Sequence, residues 1–106
     1  MVFVEASHFS RHLPRYLADE EYRLLQKFLA ERPDAGAMIR GTGGVRKVRW
    51  ASRGKGKSGG VRVIYYWQRA EEHIHLLLIY GKGEQADLTS RDLRRVKELL
   101  EQIDND

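Results

Sequence analysis

Cysteine is absent from the chain, which removes a disulfide framework and a thiolate metal cluster from consideration and suits a reducing compartment. Proline occurs twice, at Pro14 and Pro33, so regular structure is unobstructed almost everywhere else. Long apolar runs are missing too. The longest, Leu76-Leu77-Leu78-Ile79-Tyr80, falls far short of the ~20 residues that a membrane span requires. Met1-Val2-Phe3-Val4-Glu5 is too short and too soon charged for a signal peptide. The expectation is a soluble, cytoplasmic protein with no membrane partner, folded as a single domain over residues 1–106 around one modest core.

Acidic residues are the most informative scarcity. None occurs between Ala35 and Ala70, a stretch that holds nine cations: Arg40, Arg46, Lys47, Arg49, Arg53, Lys55, Lys57, Arg62 and Arg69. The formal net charge of the whole chain is only +4, so the remainder is net acidic. A surface built for solubility alone mixes the signs. Segregation of this kind marks a face for a polyanion.

What is present reads as an α+β protein. Val2–Glu5 is a short β-rich start. Ser7 is placed to cap a helix carrying Phe9, Leu13, Tyr16 and Leu17, which Pro14 must kink or end. A second helix begins at Asp19-Glu20-Glu21, where carboxylates complement the positive dipole end, and stops at Pro33-Asp34-Ala35-Gly36. Val45–Ala51, Val61–Arg69 and His73–Tyr80 are rich in β-branched and aromatic residues and predict three strands. In the last, Ile74, Leu76, Leu78 and Tyr80 are expected to share a face. Thr89 and Asp92 form a capping box for a final helix with the stripe Leu93, Val96, Leu99, Leu100 and Ile103. The order is β-α-α-β-β-β-α, with an antiparallel sheet packed against helices on one face.

The connector Ser52-Arg53-Gly54-Lys55-Gly56-Lys57-Ser58-Gly59-Gly60 combines four glycines with three cations, which lets backbone and charge approach a phosphate together. Gly56-Lys57-Ser58 imitates the end of a nucleotide-binding P-loop. That motif needs a glycine where this chain has Ala51, and a helix where Val61–Trp67 reads as a strand. Arg62, on the polar side of an otherwise apolar strand beside this connector, is placed to hold a phosphate bidentately. His8 and His12, four residues apart, lack a convincing third metal ligand. His73 and His75 alternate on one strand face, which suits an exposed or partner-facing location. No metal or other cofactor is expected.

Gly41-Thr42-Gly43-Gly44-Val45-Arg46-Lys47, then Gly54–Tyr66, then Ile79-Tyr80-Gly81-Lys82-Gly83-Glu84 together resemble the RelE/ParE toxin superfamily, and its HigB-type branch in particular. The resemblance covers nearly the whole chain. It implies a RelE-like fold and an mRNA interferase, the toxin half of a type II toxin–antitoxin pair. Such toxins enter the ribosomal A site and cut mRNA without a metal, the ribose 2′-OH attacking the adjacent phosphate. By resemblance, Arg62 stabilises the transition-state phosphate, Lys55, Lys57 and Lys82 complete the catalytic set, and Arg46, Lys47, Arg49 and Arg53 bind RNA phosphate. Either Lys55 or Lys57 can serve in proton transfer, since neighbouring cations and burial depress a lysine pKa. Base stacking falls to Tyr66 or Trp50, each of which is equally suited to a core. The implied partners are mRNA, ribosomal RNA and an antitoxin with a helix-turn-helix domain. Two departures stand out: Gly83 replaces an arginine found in some relatives, and Leu88-Thr89 stands where some have a tyrosine. A ParE-like inhibitor of DNA gyrase and a non-catalytic RNA-binding module are the alternative readings.

Overall fold

The computed structural model describes residues 1–52 and 60–105; Arg53, Lys55 and Lys57 lie outside them. Alternating apolar residues build a five-stranded sheet whose spatial order is β1 (Val2–Glu5), β5 (His73–Gly81), β4 (Val61–Gln68), β3 (Val45–Trp50) and β2 (Ala37–Met38). Strands β3, β4 and β5 form the expected antiparallel meander. The outer strand β1 differs, pairing parallel with β5 (Val2 opposite His73, Glu5 opposite Leu76), so the sheet is mixed and not purely antiparallel. The reason is topological: two helices, α1 (Ser7–Tyr16) and α2 (Asp19–Glu31), carry the chain away from β1 before the meander begins. The two-residue β2 is too short to leave a periodic signal.

Helices cover both faces of the sheet, not one. Phe9, Leu17, Leu25 and Leu29 of the α1–α2 segment pack on Val48, Val61, Val63, Tyr65, Ile74, Leu76 and Ile79. The C-terminal helix α3 (Ser90–Asn105) sets Val96 and Leu100 against Val45, Ile64, Leu77, Leu78 and Tyr80 on the other side. A sheet buried on both faces explains why β4 and β5 read as nearly continuous apolar runs. Among the described residues, no helix is long and apolar enough to cross a membrane.

A bulge in β5 separates residues expected on one face. Ile64 pairs with Leu78 and Tyr65 with Leu76, leaving Leu77 as the extra residue. Ile74 and Leu76 therefore face α1 and α2, whereas Leu78 and Tyr80 face α3. Because side chains alternate with period two, one inserted residue reverses every assignment after it.

Local chemistry fixes the helix ends. Helix α1 is preceded by Ala6, with Ser7 as its first residue and no side-chain cap; it ends two residues after Pro14. In α2 the Glu21 carboxylate accepts the Ala18 N–H at 2.7 Å. The Thr89–Asp92 box forms as expected, Thr89 N–H donating to Asp92 Oδ2 and Asp92 N–H to Thr89 Oγ1, both at 3.0 Å. Burial pushes the Asp92 carboxyl up, but the Thr89 amide and Gln85 outweigh it and hold the group below its usual value. A depressed pKa of this kind stabilises the fold above the unfolded value and ceases to do so as pH falls through the folded one. Asp92→Asn is expected to cost about 1 kcal/mol at neutral pH, as a lost cap does. Thermal melts should show that gap closing in acid.

Two structural details absorb motifs that might be mistaken for ligand sites. In Gly41-Thr42-Gly43-Gly44 all three glycines have positive φ, and buried Thr42 donates to Ile39 O at 2.6 Å and accepts the Val45 N–H at 3.1 Å. The motif is a turn that starts β3. Fully buried Tyr65 accepts the Gly36 N–H at 2.9 Å and donates to Pro33 O at 2.8 Å. Tyr65→Phe leaves both groups without a partner and should destabilise the protein by about 1–3 kcal/mol in chemical denaturation.

Candidate active site

Arg62 is the second residue of β4, directly opposite Arg49 on β3 and Tyr80 on β5. The alternation of β4 turns it toward the α3 side of the sheet, at the end where the 53–59 connector leaves Ser52 and returns at Gly60. It is not the solvated strand arginine that its polar character allows, for only 6% of its surface is exposed. Its Nη1 donates to the carbonyl of Val61 at 3.3 Å.

Two further cations share this end. Lys47, two residues from Arg49 along β3 and on the same face, forms an ion pair with Asp87 at 3.2 Å. The Lys82 backbone N–H donates to Gly60 O at 3.0 Å, which anchors this lysine beside the exit of the connector. Its charge is felt at Asp87 as well. The Asp87 carboxyl is held below its ordinary value, first by the Leu88 amide and then by Lys47 and Lys82.

The loop that carries Lys82 and Asp87 is braced from the opposite side. Glu84 accepts hydrogen bonds from Arg15 at 2.7 Å and from the Tyr16 hydroxyl at 2.5 Å. A Cβ at Gly81 would lie 2.9 Å from Glu84 Oε1 and 3.2 Å from the Tyr16 ring, so glycine is what lets the loop close on α1. Gln85 adds a hydrogen bond to Asp92 at 3.1 Å, tying the loop to the start of α3.

Arg62, Arg49, Lys47 and Lys82 are thus brought to one end of one sheet face. Arg46 and Tyr66 are not. Arg46 points to the α1–α2 face and donates from Nη1 to Gly36 O at 2.8 Å and Asp34 O at 3.1 Å, which makes it a brace for the α2–β2 turn. Tyr66 does face α3, but it lies four residues along β4 from Arg62, about 13 Å at ordinary strand rise. Its hydroxyl donates to Asp104 at 3.3 Å. Trp50 packs on Phe28 with ring centroids 5.2 Å apart and planes tilted by 42°, against the α1–α2 core. Neither candidate stacking ring joins Arg62.

The histidines also lie elsewhere. His75 Nε2 is 2.9 Å from Gln68 Oε1, near the far end of β4. His8 Nδ1 lies 3.2 Å from Arg95 Nη1, with its own ring against His12. Burial and the Arg95 charge both depress the His8 pKa, so His8 accepts a hydrogen bond more readily than it gains a proton.

Sequence reasoning missed Tyr80 and Asp87. Strict alternation puts Tyr80 in the apolar stripe of β5, and only the bulge at Leu77 turns it to the Arg62 side. Directly opposed strand residues on one face have Cβ atoms about 5 Å apart. Burial raises the Tyr80 phenol pKa and Asp87 adds to the rise, while Arg62 opposes it. Asp87 sits in an otherwise unremarkable loop, where a lone acid gives no signal before the fold is known.

The arrangement concentrates positive charge where two strands meet, with Arg62 and Arg49 as cross-strand neighbours. Like charges so placed repel, and an anion between them relieves the repulsion. A partly buried guanidinium is well suited to a phosphate because it cannot be deprotonated and offers a planar fork of donors.

Two comparisons bear on this geometry. A family model described as "RelE toxin of RelE / RelB toxin-antitoxin system" matches residues 16–105. Among solved structures, the chain is similar to a doubly substituted form of the E. coli toxin RelE in the free state. The TM-score is 0.56 at 16% sequence identity, with 80% of this chain and 86% of that one covered. At that identity the structural likeness speaks for the fold.

Proposed function

Because the chain belongs to the RelE toxin family, we propose that it is the toxin of a type II toxin–antitoxin system and acts as a ribosome-dependent mRNA endoribonuclease in the cytoplasm. The observation that carries this reading is the convergence of Arg62, Arg49, Lys47 and Lys82 at one end of the sheet, beside the anchors of a connector rich in lysine and glycine. The glycine–lysine connector and the arginine-bearing strand that follows it support the HigB-type branch.

In this reading the substrate is mRNA in the ribosomal A site, held also through ribosomal RNA. The reaction uses no metal ion: the ribose 2′-OH attacks the adjacent phosphorus, forming a 2′,3′-cyclic phosphate and expelling the 5′-oxygen of the next nucleotide. That step needs a base at the 2′-OH, charge neutralisation on the phosphorane and an acid at the leaving oxygen. Arg62 neutralises the phosphorane. Lys82, with Lys55 and Lys57 of the connector, supplies the remaining cations and the proton traffic. Lys47, Arg49 and Arg53 hold flanking phosphates. The Arg46 side chain, committed to the Gly36 and Asp34 carbonyls, contributes through the stability of β3.

An antitoxin with a helix-turn-helix domain restrains the activity, and an acidic segment is the natural complement to the basic end. Primer extension on a translated mRNA, with and without ribosomes, tests the proposal. Stops within codons should appear only when ribosomes are present. Growth arrest with intact mRNA would instead favour a gyrase inhibitor, and RNA retention without new ends a binding module.

A further inference from the structure

Among the described residues the Tyr80 hydroxyl is a buried polar group with no hydrogen-bond partner, and only 5% of the residue is exposed. Buried donors in folded proteins are nearly always satisfied, and an exception calls for an explanation. Trp67 Nε1 is the other such side-chain atom among the described residues. It belongs to a ring that packs with the α1–α2 core under the Arg69 guanidinium, 4.4 Å from its centroid. Tyr80 is different because of its neighbours. It stands opposite Arg62 across the β4–β5 pair, and Asp87 and Asp92 act on its phenol electrostatically.

An orphan donor beside a buried arginine has the character of a ligand position waiting for an oxygen. The surrounding chemistry specifies which kind. A phenol is protonated at neutral pH and burial pushes its pKa further up, so Tyr80 offers a donor and not a base. The groups nearby that attract an anion are Arg62, Lys47 and Lys82. One anion already occupies the edge of this cluster: Asp87, 70% exposed at its side chain and bonded to Lys47. Its carboxylate is the internal counter-ion that an incoming phosphate must exchange.

We infer that the Tyr80 hydroxyl is a further substrate ligand, donating a hydrogen bond to a non-bridging oxygen of the RNA phosphate held by Arg62 once that phosphate has displaced Asp87 from Lys47. This rests on the nuclease reading above and adds to it a neutral donor that no cation in the cluster replaces. Tyr80 then reports the phosphate's position: a short rigid ring anchored in the α3 core sets where the oxygen must lie relative to the guanidinium.

The test is Tyr80→Phe, which removes one oxygen atom and keeps the ring. Single-turnover cleavage of ribosome-bound mRNA should fall about tenfold to a hundredfold, the range for a donor to a charged acceptor. Thermal stability and antitoxin affinity should hold or rise, because the deleted hydroxyl had no partner to lose. Cleavage within twofold of wild type, beside an inactive Arg62→Ala control, overturns the inference and leaves the nuclease reading standing. A Tyr80→Phe protein that melts lower and binds antitoxin more weakly also overturns it, since the hydroxyl is then structural. Intact mRNA in the wild-type reaction overturns the nuclease reading and this inference with it.

Discussion

Arg62→Ala is expected to lower the single-turnover rate of mRNA cleavage on the ribosome by about 100- to 1000-fold, the usual cost of removing one donor aimed at a developing oxyanion. The size of the effect follows from location. Arg62 is buried to 6% exposure at a sheet position where the opposing residue is another arginine, so its charge acts in a medium less screened than water. Arg62→Lys should recover part of the rate and not all of it, because an ammonium keeps the charge but cannot present two parallel donors to a phosphate. Antitoxin binding by both variants, measured in parallel, should stay near wild type. A plain RNA-binding module would behave differently: loss of one charge-assisted contact would weaken affinity modestly, with no catalytic step to abolish.

The second large effect is structural. Deleting Leu77 should keep the fold and lower its stability sharply. Leu77 is the residue of β5 without a cross-strand partner, so its removal leaves Leu76 opposite Tyr65 and Leu78 opposite Ile64, and every later side chain keeps its layer. What is lost is a buried leucine of the α3 cluster, a cost of about 2–5 kcal/mol against the roughly 5–15 kcal/mol that holds a typical domain folded. Chemical denaturation of the deletion variant should show a cooperative transition moved to lower denaturant. Leu77→Ala, which keeps the bulge, should lose stability to a similar extent; a deletion variant with no cooperative transition would show that the bulge itself is required.

The same bulge marks the limit of what the sequence disclosed. The helices, the antiparallel meander and the Thr89–Asp92 cap were legible because each has a local cause: a 3.6-residue stripe, a run of β-branched residues, a pair of side chains three apart. Arg62 stood out as a candidate for a similar reason, as a lone cation in an apolar strand beside a basic connector. Relationships across the sheet were not. Nothing local distinguishes Leu77 from Leu76 or Leu78, so the reversal that brings Tyr80 to Arg62 could not be foreseen. Arg46 was a candidate by resemblance and by charge, Tyr66 by aromaticity. The first is turned away by strand alternation, and the second is carried off by distance along β4. The parallel β1 pairing and the placement of α3 on the second face likewise depend on connections that span most of the chain.

The chemistry of the cut ends tests the central claim most directly, that strand and loop cations assist RNA's own 2′-hydroxyl. Fragments released from translating ribosomes by the wild-type toxin can be weighed by mass spectrometry. Upstream fragments ending in a 2′,3′-cyclic phosphate, or the 3′-phosphate it opens to, paired with downstream fragments bearing a 5′-hydroxyl, are the predicted result. Downstream fragments carrying a 5′-phosphate would contradict the account, because they require attack by water or another external nucleophile.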